Sequence, residues 1–281
     1  MIDKSALDDG SPAGAAFDSI DVERLHRTAR EAVHAARIDI HQLIPGIPAT
    51  TAGLLAENCE FGHRAVLLFP ATVDAAMDYL GRHGFDPLSV VRSILVRRRL
   101  ADRYQLHADD CDVWLTRCRP PEPASETGPA ASRTLEVFLF PRSAPVLQSS
   151  IVDGERTFGF EEHIALTVHE PDTHLLTGIT TALSTDARLL LETGAHIPHE
   201  GPQGSTAMYF VRQSAPASAG GRLQRLELHC PGDFTALLAT LLPDSNAAAE
   251  AACRIYDNHV RTVRRTTPHR VGHPAQQPAV A

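Results

Sequence analysis

Two histidines and two glutamates stand at matched places in this chain, and together they form a donor set for a metal ion. His63 opens the apolar stretch HRAVLLFP and His163 opens HIALTVHE; Glu136 lies in TLEVFLFP and Glu227 in RLELHCP. Two imidazoles and two carboxylates make a mixed nitrogen–oxygen site of the kind that takes one divalent zinc, iron, nickel, cobalt or manganese ion. With four protein ligands, an octahedral ion keeps two positions for water or substrate. Taken singly, a histidine at the start of a strand is more often a hydrogen-bonded edge residue, and a glutamate on a strand more often faces solvent. The matched pairing is what a purely structural role does not predict.

Such ligands need rigid elements to hold them. Strand side chains alternate between faces. In EEHIALTVHE, residues 161–170, one face carries Ile164, Leu166 and Val168, and the other carries His163, Ala165, Thr167 and His169. The first face suits packing against a helix. The second, small and polar, suits a cavity wall. From residue 61 the chain reads as strand, helix, then three strands: 63–70, a helix over 73–85 with a glycine exit, a strand within 89–110, then 112–118 and 133–141. The same order returns as 163–170, a helix over 172–185, then 187–197, 206–213 and 222–231. Each pass begins with a histidine on a strand and ends in Leu-Glu-aliphatic near a proline, LEV at 135–137 and LEL at 226–228. A repeat of this kind sets the architecture more firmly than any single element. The expected fold is α+β: tandem βαβββ modules forming a cupped mixed β-sheet around a metal site, with extra N- and C-terminal helices. If the two units pair about a pseudo-twofold axis, His63, Glu136, His163 and Glu227 converge.

The expected boundaries are an N-terminal tail and helical extension over 1–60, a first module over 61–150, a second over 151–231, and C-terminal helices with a tail over 232–281. Residues 1–17 are small, acidic and broken by Gly and Pro, which suits disorder. Residues 20–43 read as one helix, and PGIPATTAG then breaks the chain. Pro-, Ala- and Ser-rich stretches at 120–132 and 214–221 read as loops.

Composition narrows the classes. With 281 residues there is ample chain for a core, and 43% hydrophobic with 21% charged residues is ordinary globular usage. A net charge of −8 argues against a nucleic-acid footprint. No run has the ~18 apolar residues of a membrane span, and the acidic N-terminus lacks a signal-peptide core, so a cytoplasmic location is the expectation. The five cysteines form no CxxC pair and read as free thiols.

The stretches GHRAVLLFP, TLEVFLFP, EEHIALTVHE and RLELHCPG, in that order, resemble the vicinal oxygen chelate superfamily, which includes glyoxalase I, methylmalonyl-CoA epimerase, extradiol dioxygenases and the fosfomycin and bleomycin resistance proteins. The resemblance covers about residues 61–231. It implies that each βαβββ unit gives one ligand from its first strand and one from its last, which places His63, Glu136, His163 and Glu227 on the metal. This set is most similar to the glyoxalase and epimerase branch. It implies lyase, isomerase or epimerase chemistry on a small oxygenated substrate, with a metal-stabilised oxyanion and Glu136 or Glu227 as the base. An iron-dependent dioxygenase and a non-catalytic small-molecule binder are the alternatives. In the family, modules pair within one chain or across a homodimer. The chain departs from the pattern in an Arg-rich segment, a longer first loop, and SAPASAGG before the last strand.

Other polar groups have blander readings. Arg97, Arg98 and Arg99 could hold an anion but read better as a solvated face. His169 and His229 share the strand faces of His163 and Glu227 and are candidates for a supporting or acid–base role. His196 and His199 read as surface, Cys230 as core, and Asp109, Asp110 and Asp112 as a turn.

Overall fold

A computed structural model describes residues 16–121, 134–212 and 223–266. Numbered in chain order, its helices are α1 (Ser19–Ala35), α2 (Ile40–Leu43), α3 (Ala49–Asn58), α4 (Val73–Arg82), α5 (Ile94–Tyr104), α6 (Ser149–Phe158), α7 (Thr173–Thr185), α8 (Thr235–Leu241) and α9 (Ser245–Thr266). Its strands are β1 (Cys59–Leu68), β2 (Val91–Arg92), β3 (Trp114–Cys118), β4 (Thr134–Leu139), β5 (His163–Val168), β6 (Leu189–Ile197), β7 (Ser205–Arg212) and β8 (Arg225–Pro231).

All eight strands join one curled mixed sheet in the order β2-β3-β4-β1-β5-β8-β7-β6. β1 runs parallel to β4 and β5 parallel to β8, while β1 and β5 meet antiparallel at the centre. Parallel neighbours require a crossover, and α4 and α7 lie on those two connections. α7 shows how the sequence specifies its place. Asp172 caps it by accepting from the Leu175 amide at 2.7 Å. Leu176, Ile179 and Leu183 then recur at helical spacing and are fully buried against Ile164, Leu166 and Val168 of β5. Each such leucine or isoleucine contributes about 1.5–3 kcal/mol of burial. α4 does the same over Val66, Leu68 and Val137. The convex face is therefore covered by α4 and α7, with α1, α2, α3 and α8 around them.

The concave face is covered by α5, whose Val96 and Leu100 pack on Ala65, Leu67 and Phe138. The strand expected within 89–110 is present as β2, but it has only two residues, and most of the segment is the helix α5, which was not expected. The β-branched start of SVVRSILV favoured a strand. Ser93 overrides that preference by capping the helix, accepting from the Val96 amide at 3.3 Å. The arginine run is likewise not simply a solvated face, since Arg99 points inward and is buried.

Three further readings change. Residues 20–43 form two helices, α1 and α2, because Asp39 caps a new start by accepting from the Gln42 amide. PGIPATTAG does not merely break the chain; α3 begins at Ala49, directly after Pro48, where a missing amide hydrogen costs nothing. Ala16 and Phe17, read as part of a disordered tail, are buried against the α4 core. α6 was not anticipated at all. Residues 1–15, most of the two Pro/Ala/Ser-rich loops and the C-terminal tail lie outside the described residues. Among the described residues, no helix is long and apolar enough to cross a membrane.

Candidate metal centre

Register alone assembles the site. Glu136 on β4 lies opposite Ala65 on β1, which lies opposite His163 on β5. His63 on β1 lies opposite Ala165 on β5, which lies opposite Glu227 on β8. The four polar residues thus occupy two adjacent rungs of one face, and the positions between them are alanines, too small to fill the space. A slip of one residue in any strand would turn its ligand to the convex side.

The four side chains are all buried, and one ligand atom from each lies within 4.8 Å of the others. His63 Nε2 is 3.3 Å from Glu136 Oε2 and 3.3 Å from Glu227 Oε2. It makes a hydrogen bond with neither. A buried imidazole nitrogen equidistant from two carboxylates and bonded to neither is placed as a ligand of a common cation is placed. His163 Nδ1 donates to the Glu161 carbonyl at 2.9 Å. A carbonyl only accepts, so Nδ1 carries the hydrogen and the lone pair of a neutral ring is at Nε2, 3.0 Å from Glu227 Oε2. This is the outer contact that a metal-binding histidine ordinarily makes. The residues present fit a divalent ion.

Without such an ion a proton must do its work. Burial pushes the His63 imidazole toward neutrality, but Glu136 and Glu227 outweigh it and raise its pKa to about 10. Burial likewise disfavours an ionised Glu136, yet His63 and Arg117 hold its carboxyl down at about 2. Glu227 is also held well below the ordinary range, against its burial, by His63 and His163.

Residues the sequence did not single out fix the ligands. Arg117 on β3 lies opposite Glu136 and donates Nε to its Oε1 at 2.6 Å. Tyr209 on β7 lies opposite Glu227 and donates its hydroxyl to it; burial and the Glu227 charge push the phenol pKa well up, so the proton stays. Its ring stands edge-on to His163, with centroids 5.3 Å apart, and the Arg99 guanidinium lies 4.3 Å over it. Glu161, whose carbonyl orients His163, is held by Arg99 at 2.6 Å and Arg103 at 2.7 Å. The available signal was parity: Arg117 and Tyr209 share the inward face with Glu136 and Glu227 once the hairpin register is known.

Of the other candidates, His229 lies beside the centre, with Nδ1 3.9 Å from Glu227 Oε1. His169 is exposed past the end of β5 and takes no part. His199 is exposed and His196 half-buried, 3.9 Å from Asp233. Arg97 holds the Ala108 and Cys111 carbonyls, Arg98 is exposed, and Cys230 is buried in the convex core. Asp109 and Asp110 lie in a 3₁₀ turn. A cavity of ≈ 360 Å³, lined by Arg117, Glu200, Ser205 and His229, lies where Arg117 leaves Glu136. A second, of ≈ 380 Å³, touches His163 between α1, α2 and the starts of β5 and β8.

No family model matches this sequence, and no curated protein does. Among solved structures the chain is similar to a hydroxyglutarate synthase from Oryza sativa, in complex with 2-oxoadipate, at 12% identity and a TM-score of 0.34, over 78% of this chain and 85% of that one. A likeness of that strength assigns neither family nor activity to this chain.

Proposed function

We propose that this chain is a divalent-metal enzyme of the vicinal oxygen chelate type, with lyase, isomerase or epimerase chemistry on a small oxygenated substrate. The observation that carries the reading is the buried His63/Glu136/His163/Glu227 set, contributed by four strands on one concave face. The strand order supports it. β2-β3-β4-β1 and β6-β7-β8-β5 are the same arrangement read from opposite edges, so we read 61–150 and 151–231 as two βαβββ modules, the first interrupted by α5.

A divalent ion held here supplies Lewis acidity toward two neighbouring substrate oxygens. The chain supplies the rest. His63, His163 and Glu227 orient the centre, and α5 with Phe138 excludes water from one side of it. Glu136 is the residue to take and return a substrate proton. Its Oε1 accepts from Arg117 and its Oε2 is approached by His63, whereas Glu227 has His163 and Tyr209 against it as well as the same approach of His63. A carboxylate with two neighbours is freer to swing than one with three.

The test is elemental analysis of untagged protein beside Glu227→Ala. Near one equivalent of metal in the wild type, strongly reduced in the variant, supports the reading. Turnover that requires iron and oxygen, rather than nickel, cobalt or zinc, would move the assignment to a dioxygenase. No metal in either protein, even after reconstitution, rejects the metalloenzyme and leaves a small-molecule binder.

A further inference from the structure

Glu200 stands in the turn between β6 and β7, at the cavity beside the metal centre. Its carboxylate is hydrogen-bonded by side chains from two strands and approached by a third. Arg117 on β3 donates to Oε1 at 2.6 Å, and Ser205 on β7 donates to Oε2 at 2.6 Å. His229 on β8 brings Nδ1 to 3.7 Å from Oε2, and that nitrogen is buried without a hydrogen-bond partner. The gripping groups are fixed from behind. Arg117 is tied through Nε to Glu136, and Ser205 is 1% exposed. The gripped group is not built that way. Glu200 is carried by a turn whose Gly201 and Gly204 have φ of +76° and +71°. At Gly204 a β-carbon would meet the His196 ring at 2.4 Å, so this turn conformation needs glycine there.

A rigid set of donors around a carboxylate, open to a cavity next to a reactive centre, is a binding subsite occupied by the chain itself. Charge argues the same way. Arg117 is one cation between two carboxylates, Glu136 and Glu200. An incoming anion that displaces Glu200 leaves this balance unchanged, whereas one that enters beside it adds repulsion. We propose that Arg117, Ser205 and His229 form the carboxylate subsite of the active centre, and that Glu200 is its built-in occupant, displaced by a substrate bearing a carboxylate a few atoms from its metal-chelating oxygens. The subsite deepens the metalloenzyme reading and rests on it for the placement of those oxygens. Glu200 thereby sets specificity: an uncharged tail does not displace it, and a carboxylate does.

The test uses calorimetry on the full-length protein, cobalt-loaded and metal-free, with two probes. 2-Oxoglutarate and 2-oxopentanoate share a chelating head and chain length and differ in the terminal carboxylate. If Glu200 fills the subsite most of the time, Glu200→Ala and the shape-preserving Glu200→Gln bind 2-oxoglutarate about tenfold tighter than wild type, with 2-oxopentanoate unchanged. Equal tightening of both probes, no tightening of either, or no detectable 2-oxoglutarate binding to Glu200→Ala in either form overturns the proposal. Cobalt uptake is measured separately by elemental analysis. Absence of cobalt with the carboxylate preference intact therefore rejects the metal centre while the subsite stands.

Discussion

Two clusters of charge are buried in this molecule, and they are built on opposite plans. One gathers Arg99, Arg103 and Arg225 with Glu155, Glu161 and Glu192 where α5, α6, β5, β6, β8 and α9 meet. There each carboxylate meets a guanidinium within hydrogen-bonding distance, and Tyr104 and Tyr256 add further bonds to Glu155 and Glu192. Cations and anions balance within the cluster. The other gathers His63, Glu136, His163 and Glu227, where two carboxylates face two imidazoles and His63 Nε2 bonds to neither. Arg117 is shared with Glu200 and does not close that balance. Buried polar atoms without a hydrogen-bond partner occur in both clusters, Arg99 Nη1, Arg103 Nε, Glu155 Oε2 and Arg225 Nη1 in the first and His63 Nε2 in the second. The contrast is therefore one of charge: a buried cluster whose charges balance holds the fold, and one with a carboxylate in excess calls for a cation.

The difference is sharpest when one carboxylate is neutralised in each. Glu161→Gln leaves Arg99 and Arg103 buried against an amide that carries no charge. Breaking a buried pair in this way costs about 3–5 kcal/mol, so urea denaturation should show a much lower midpoint, with metal present or absent. Burial disfavours the Glu161 charge, but Arg99, Arg225 and Arg103 hold its pKa well below the ordinary value. Its contribution is therefore present above the unfolded-state pKa and is lost as pH falls. The wild-type advantage over Glu161→Gln should shrink in acid.

Glu227→Gln should behave in reverse. The metal-free protein is expected to lose some stability, because Glu227 helps hold the His63 proton, but less than Glu161→Gln loses, because Glu136 remains beside that proton. Metal affinity should fall by more than the about 10–100-fold typical of losing a supporting residue. An apo-stability loss as large as that of Glu161→Gln would put both clusters in the same structural class and defeat the distinction drawn between them.

The sequence reading reached these two clusters very unequally. The four candidate ligands were legible because strand parity is a short-range signal: a histidine among aliphatics at alternate positions announces its own face. The ten segments read as strand or helix from 63–70 to 222–231 each carry an element of the expected type, though at 89–110 the strand is the two residues of β2 and α5 takes most of the stretch. The ionic cluster was not legible. RRR at 97–99 reads as solvated until α5 is known to cross the concave face, and nothing local marks Glu155 or Glu161 as partners of Arg103, which reaches them from 52 and 58 residues away. Arg117, Glu200 and Ser205 were hidden for the same reason. Their roles depend on hairpin register and on a turn that brings β3 and β6–β7 together across the sheet, which no local pattern encodes.

A pH series separates the clusters by sign. His63 has an ordinary pKa of 6.5 and is raised to about 10 in the metal-free fold, against its burial, by Glu136 and Glu227. That contribution is fully present below the unfolded value and is lost as pH rises through the folded one. Metal-free protein should therefore lose stability between about pH 6.5 and 10, by no more than about 1.4 kcal/mol per pH unit. Metal-saturated protein should show a flatter profile there, and metal uptake at pH 8 should release a proton measurable in weak buffer. Equal slopes for the two forms, with no proton released, would mean that His63 is not a ligand.

Tyr209 is where the two clusters touch, and it gives the smallest and most selective effect. Its hydroxyl serves the candidate metal centre through Glu227, while its ring serves the ionic cluster as the surface beneath Arg99. Tyr209→Phe removes the first contact and keeps the second. Metal affinity should drop about tenfold, at the low end for a supporting hydrogen bond, with the urea midpoint of the metal-free protein close to wild type. Tyr209→Leu removes both, adding the loss of the cation–π contact, about 2 kcal/mol where desolvated, and should lower the midpoint as well. If Phe and Leu weaken the metal and the fold in the same proportion, Tyr209 is only packing. If they separate as described, one side chain couples the charge-balanced cluster to the proposed metal centre, through its ring on one side and its hydroxyl on the other.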